Sequence, residues 1–230
     1  HPLGALPGQR PVVAQEMGVT APLEALKAQA IVSRSYTLSA LVGAKSGHPY
    51  DVVADVSNQV YQGYDGEGGS AGERVRQAVD TTCGQVIYYD NRIIEAFYHS
   101  NSGGHTEDSE NVWNASLPYL RGVPSPEDVW ALEYPQQSST GWPARNYSWD
   151  VTLTSQQLRD KVNSWLLRQG KVAIGNITNI VVSKVRRDGQ GETASGRVTR
   201  LDIYTAGGCL VLNNNEIRSA LGLQSTLFNI

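Results

Sequence analysis

Glu24, Lys27 and Arg34 lie in a stretch without Gly or Pro that runs from Leu23 to Val42. At about 100° per residue the three fall within one sector about 80° wide. They therefore share one edge of an otherwise apolar helix, with Gln29 turned away from that edge toward the interior. Two readings fit. One is an i,i+3 ion pair on a solvated face, worth about 0.2–0.5 kcal/mol. The other is a carboxyl poised by apolar neighbours and nearby cations for proton transfer.

A second concentration is His99-Ser100-Asn101-Ser102-Gly103-Gly104-His105-Thr106. Two adjacent glycines after a strand allow close approach of backbone amides to a ligand. Ser100, Asn101, Ser102 and Thr106 add uncharged donors and acceptors. That inventory suits a sugar or an oxyanion, and it equally suits an ordinary Ser/Gly turn. His99 and His105 with Glu107 and Asp108 resemble a metal cluster in composition, but their spacing matches no zinc motif. Serine hydrolysis through Ser100 or Ser102 lacks a G-x-S-x-G elbow. His48 lies in a polar loop and reads as structural or exposed. Residues 107–150 hold Trp113, Trp130, Trp142 and Trp149. Such aromatics either stack on carbohydrate or anchor loops to the body.

These residues sit in a chain of 230 residues with 19 Lys+Arg against 22 Asp+Glu, a net charge of −3. Hydrophobic residues make up 40%, too many for a disordered chain of such balanced charge. No apolar run reaches the ~18–20 residues of a membrane span. Without a basic cluster, non-specific nucleic-acid binding is disfavoured. Cys83 and Cys209 form no metal motif. They read as buried thiols, or as one long-range disulfide in an oxidising compartment. The start, His1-Pro2-Leu3-Gly4, reads as a processing boundary.

The elements that must position the candidates follow from pattern. Residues 1–11 read as a flexible lead-in and 12–230 as one domain. A short helix over Val12–Met17 ends at Gly18. The long helix from Leu23 has Pro22 at its first turn, Thr20 or Ala21 as cap, and Gly43 as its stop. Apolar residues on more than one side imply burial around most of its circumference. Residues 43–69 read as an irregular excursion with a short strand around Gln59-Val60-Tyr61. Ser70–Asp80 is a helix. Gly84–Tyr89 and Arg92–Tyr98 form a hairpin turned by Asp90-Asn91. Thr154 and Gln157 make a capping box for a helix to Arg168. Ile177–Arg187 pairs with Arg197–Thr205, Cys209–Leu212 adds a strand, and Asn213 with Glu216 caps a last helix to Gly222. The order is α+β: an antiparallel sheet with a long buried N-terminal helix and peripheral helices.

Several motifs then occur in a fixed order. They are Glu16-Met17, Glu24-Ala25-Leu26-Lys27-Ala28-Gln29-Ala30, Arg34-Ser35-Tyr36, Thr82-Cys83-Gly84-Gln85-Val86-Ile87-Tyr88-Tyr89, and Ala96 through Thr106. Asn111-Val112-Trp113, Pro118-Tyr119-Leu120 and Glu216 through Thr226 follow. Together they resemble the stage II sporulation protein D (SpoIID) and amidase-enhancer family over nearly the whole chain from about residue 12. The resemblance implies peptidoglycan as partner. Sporulation members are lytic transglycosylases that cleave glycan strands lacking stem peptides, and other members enhance cell-wall amidases. It implies Glu24 as the catalytic acid/base, with Glu16 as second choice. In the mechanism that follows, Tyr98, Ser100, Ser102, Gly103, Gly104 and His105 are expected to bind substrate, and Lys27 and Arg34 to bind substrate or pair elsewhere. No cofactor is expected. Some members hold zinc in the segment matching Asp51 to Gln59, but DVVADVSNQ has neither Cys nor His, so no metal is expected here. The implied setting is extracytoplasmic, in the cell envelope or periplasm, with a cell-wall amidase as a possible partner, no nucleic acid and no membrane span.

Overall fold

The computed structural model describes residues 8–43, 69–113, 115–133 and 147–230. His48, the strand expected around 59–61, the segment 51–59 and Trp142 lie outside the described residues. The described chain divides into two compact units, the first ending at His99 and the second beginning at Ser100.

The first unit packs three helices, α1 (Gln9–Met17), α2 (Leu23–Gly43) and α3 (Gly69–Thr81). Helix α1 starts three residues before the expected position and stops at Gly18, whose N–H reaches Ala14 O at 2.9 Å. The first carbonyl of α2 to accept a helical bond belongs to Pro22, not to Thr20 or Ala21 (Leu26 N–H to Pro22 O, 3.1 Å). Val13 and Ala14 of α1 close a core with Leu26 and Ala30 of α2 and Val75, Ala78 and Val79 of α3. Buried or half-buried residues recur around most of α2 from Leu23 to Ala40, and Gln29 is turned inward as expected.

A short hairpin, β1 (Tyr88–Tyr89) and β2 (Arg92–Ile93), follows. Asp90 and Asn91 both take positive φ, 49° and 59°, as a two-residue type I′ turn requires. The paired strands are shorter than the sequence pattern suggests.

Arg34 holds the first unit together. Its side chain is fully buried. Nη1 donates to Thr82 O at 2.8 Å and Gln85 O at 2.7 Å, and Nη2 reaches Val79 O at 3.5 Å. Nε donates to Gln9 Oε1 at 3.2 Å, while Gln9 Nε2 donates to Ala30 O at 2.6 Å. Helix α3 ends with carbonyls that no later helical N–H can reach, and a cation there is favoured by the helix dipole. Burial pushes the guanidinium below its ordinary value, and Cys83 opposes that shift. The neighbouring motif residues are also structural. Ser35 Oγ accepts the Ile87 N–H at 2.9 Å, fixing the hairpin to α2. Tyr36 meets Phe97 edge-on with ring centroids 5.8 Å apart.

In the second unit, β3 (Ile177–Ser183), β4 (Arg200–Thr205) and β5 (Gly208–Asn213) form an antiparallel sheet in that order. Between the hairpin and this sheet come α4 (Glu110–Trp113), a 3-10 turn (Pro126–Val129) and the one-turn α5 (Trp130–Glu133). The β3–β4 ladder stops at Ser183 and Arg200, with one isolated bridge beyond it, Val185 to Glu192. Leu201 and Ile203 of β4 point inward beside Leu212 of β5. They pack on Val162, Trp165 and Leu166 of α6 (Ser155–Arg168) and Ile217, Ala220 and Leu221 of α7 (Asn215–Leu221). The capping box of α6 forms as read: Gln157 N–H to Thr154 Oγ1 at 3.2 Å and Thr154 N–H to Gln157 Oε1 at 2.8 Å. Helix α7 differs. Its cap residue is Asn214, one beyond the expected Asn213, and Glu216 accepts the Asn213 N–H at 3.1 Å.

Both cysteines are exposed thiols, not buried ones. Cys83 falls in the turn after α3, and strand alternation places Cys209 opposite exposed Tyr204 while Leu210 and Leu212 turn toward the core.

Replacing Arg34 by Met is expected to lower stability by on the order of 3 kcal/mol, because buried carbonyls lose their donor. Arg34→Lys is expected to recover little, since an ammonium cannot reproduce the fork. Chemical denaturation of the two variants checks both.

Candidate functional site

Helix α2 carries Glu24 in its first turn. The Glu24 side chain is 81% exposed, and its hydrogen-bond partner among the described residues is Lys27, whose Nζ lies 2.7 Å from Oε1. The i,i+3 ion pair is therefore present, with the carboxylate open to solvent. Arg34 shares the angular sector of these two residues but is buried and committed to carbonyls, so it does not stand with them as an available group. Glu16 is half-buried near the end of α1. Tyr98 is half-buried, whereas His99 and Ser100 are exposed.

The Ser-Gly-Gly loop belongs to the second unit. Gly103 and Gly104 take φ of 76° and 102°, values that L side chains rarely adopt. A Cβ on Gly103 would lie 2.6 Å from Leu227 Cδ2, whereas one on Gly104 would meet nothing within 4 Å. The loop thus wraps around an acidic side chain. The Asp128 carboxylate accepts from Ser102 N–H at 2.8 Å, from Gly104 N–H at 3.2 Å and from the Ser102 hydroxyl. Asn101 Nδ2 donates to Asp128 O at 3.0 Å and Asn101 Oδ1 accepts from Gly103 N–H at 2.8 Å. Successive amides of this kind make a concavity for an anion, and Asp128 supplies one from within the chain. Burial raises the Asp128 carboxyl, but the bonds from Ser102, Gly104 and Ser125 outweigh it and hold it below its ordinary value.

Arg197 grips the other side of the loop, with Nη2 to Ser102 O at 2.7 Å and Nη1 to Ser225 Oγ at 2.5 Å. Ser102, expected to bind substrate, is accordingly 2% exposed and fully engaged. His105 Nδ1 donates to Thr106 O at 2.6 Å, because a carbonyl can only accept. The groups read as a metal-like cluster are also occupied. Glu107 accepts from Asp108 N–H and Asn111 Nδ2, both at 2.9 Å, and from Ser195 Oγ. Asp108 accepts from Gly122 N–H at 2.8 Å. Among the described residues no three His, Cys, Asp or Glu side chains converge as a metal set.

A cavity of about 690 Å³ lies in the second unit. Asn101, Ser102 and Gly103 form part of its wall, Trp149 another part, and Leu201 and Leu221 contribute from the core side. Trp113 and Trp130 are 45% and 58% exposed, so neither is sunk into the body as a loop anchor. Sequence pattern offers no sign of Asp128 or Arg197: neither belongs to a recognisable site motif. The one available clue was that a Ser-Gly-Gly nest calls for an anion.

Residues 10–89 match the family model described as Stage II sporulation protein, and residues 107–230 match one described as Domain of unknown function (DUF8618). The chain is 30% identical over 228 residues to the stage II sporulation protein D of Bacillus subtilis, covering 94% of this chain and 57% of that protein. The chain belongs to the stage II sporulation protein D and amidase-enhancer family. It is also 31% identical over 201 residues to the amidase enhancer of Bacillus subtilis, covering 81% of this chain and 27% of that protein. The stage II sporulation protein D of Bacillus amyloliquefaciens is 33% identical over 133 residues, 54% of this chain and 39% of that protein. The chain thus spans between a quarter and about three fifths of the length of these relatives. The first family segment contains Glu24 and the Arg34 post, and the Ser-Gly-Gly loop lies between the two matched segments. Among the described residues no helix is long and apolar enough to cross a membrane.

Beside the loop, Arg121 donates to both carboxylate oxygens of Glu110, at 2.8 and 2.5 Å. That bidentate pairing holds the Glu110 carboxyl down at about 2, against an ordinary 4.5. A depressed carboxyl contributes stability in full above its unfolded value and loses it as pH falls through its folded value. Glu110→Gln is expected to lower stability at neutral pH and to flatten the decline between about pH 4.5 and about pH 2. Thermal melts across that window check it.

Proposed function

We propose that this chain acts in the cell envelope on peptidoglycan, as a lytic transglycosylase that cleaves glycan strands lacking stem peptides, with Glu24 as its acid/base. The observation that carries the reading is the open Glu24 carboxylate in the first turn of α2, inside the segment that matches the stage II sporulation protein model. Glu107, Asp108, Glu110 and Asp128 are held by backbone amides, hydroxyls or Arg121. Glu24 is on a helix with an open carboxylate, and among the described residues it pairs with Lys27. A group that must meet a polymer has to be reachable in the unliganded protein. The relatives named stage II sporulation protein D and amidase enhancer support a cell-wall role.

The chemistry needs one carboxyl. Glu24 gives a proton to the glycosidic oxygen as the bond from that oxygen to the anomeric carbon breaks. The 6-hydroxyl of the same sugar attacks the anomeric carbon, and Glu24 takes that hydroxyl proton. The products are a shortened strand and a 1,6-anhydro end, with no water consumed. Glu24 must carry its proton when it acts, so substrate has to part it from Lys27. In this reading the Ser-Gly-Gly loop and the cavity it borders are a glycan-contacting surface of the second unit, where Ser100 is exposed and Ser102 is buried.

A second reading is favoured by the same ion pair. A solvated Glu24–Lys27 pair also suits a non-catalytic surface that binds glycan and enhances a cell-wall amidase. Mass spectrometry of purified protein with denuded glycan separates the two. Anhydro-ended fragments, one water lighter than hydrolysis products, are expected from the parent. Glu24→Gln is expected to cut their yield by a factor on the order of 100. Parent-like yield from that variant removes Glu24 from the mechanism. No product without an added amidase, and faster amidase turnover with it, establishes the enhancer.

A further inference from the structure

The nest at Ser102–Gly104 has the form of a ligand-binding oxyanion hole, yet its donors already have an acceptor. Ser102 N–H, Ser102 Oγ–H and Gly104 N–H all converge on one oxygen of Asp128, Oδ2. Two further bonds stitch the same segments: Asn101 Nδ2 to Asp128 O at 3.0 Å, and Ser125 N–H to Gly104 O at 2.8 Å. Displacing the carboxylate would strand three donors on a half-buried loop, so Asp128 is a built part of the loop. Asp128 does not line the cavity, whereas Asn101, Ser102 and Gly103 do. What the loop still offers outward is the exposed Ser100 and the unobstructed face of Gly104.

We propose that Asp128 is the positioning residue of the glycan-contacting loop: its carboxylate fills the Ser-Gly-Gly nest and sets the shape in which Asn101, Gly103 and Gly104 meet a sugar. The loop is then a preformed, neutral wall that a glycan lies against, not a hole that binds an anion. Arg197 opposes Asp128 across the loop, donating to Ser102 O while Asp128 accepts from Ser102 N–H. The two charges hold Ser102 between them. The assignment rests on the glycan-strand reading above, but the loop geometry can be measured without it.

The test compares the parent protein with Asp128→Asn, which keeps size and one acceptor oxygen, and with Asp128→Ala. Amide hydrogen exchange is read at Ser102 and Gly104, and steady-state cleavage of denuded glycan is read alongside it. Loss of a charge-assisted bond predicts about tenfold faster exchange at both amides in Asp128→Ala, with a smaller rise in Asp128→Asn. A rise in KM of about tenfold with little change in kcat is expected for Asp128→Ala, partly rescued in Asp128→Asn. Unchanged exchange overturns the proposal. Faster exchange with parent-like KM overturns it as well, leaving Asp128 a structural residue only. A parent protein that releases no anhydro product sinks the transglycosylase reading alone. Retention on insoluble denuded glycan then replaces KM, and equal retention of parent and variants, or none by the parent, overturns the role of Asp128.

Discussion

Both units depend on satisfying backbone carbonyls that no helix or strand ladder reaches, and both do so with a buried or half-buried guanidinium. Arg34 gathers carbonyls at the end of α3 and in the turn after it, and bonds α1 through Gln9. Arg197 gathers the Ser102 carbonyl and the Ser225 hydroxyl. Five N–H donors in a rigid fork suit this task, because one side chain can serve several acceptors at once. Taking a cation out of water is costly, and the density of carbonyl and hydroxyl oxygens around each head group offsets that cost.

The same constraint sorts the acidic residues. Loop-rich segments leave unsatisfied amides as well as carbonyls, and Glu107, Asp108 and Asp128 fill those needs. Their carboxylates are therefore parts of the scaffold. Glu24 lies in the first turn of α2, and among the described residues its carboxylate bonds to Lys27. Availability for chemistry here follows from what the surrounding backbone does not need.

The helices and the sheet were legible because they rest on short-range rules. The Thr154–Gln157 box and the Asp90-Asn91 turn formed as read. Strand ends and the α7 cap were displaced, since pairing partners and the Asn214 conformation are set by contacts from elsewhere in the chain. The loop motif was legible as a motif but not as an arrangement. Its composition named donors, and only the fold supplied Asp128 as their acceptor.

Glu24, Lys27 and Arg34 show where the boundary lies. The sequence by itself determined that they share one angular sector of a long helix, because the helical repeat is fixed by backbone geometry. What covers that sector is a different matter. Arg34 lies about 10 Å farther along the helix than Lys27 at 1.5 Å per residue, and there the end of α3 and the following turn close over it. Near the helix start the Glu24 side chain is 81% exposed among the described residues. Angle is a local property of the chain, whereas burial is decided by which distant segment arrives.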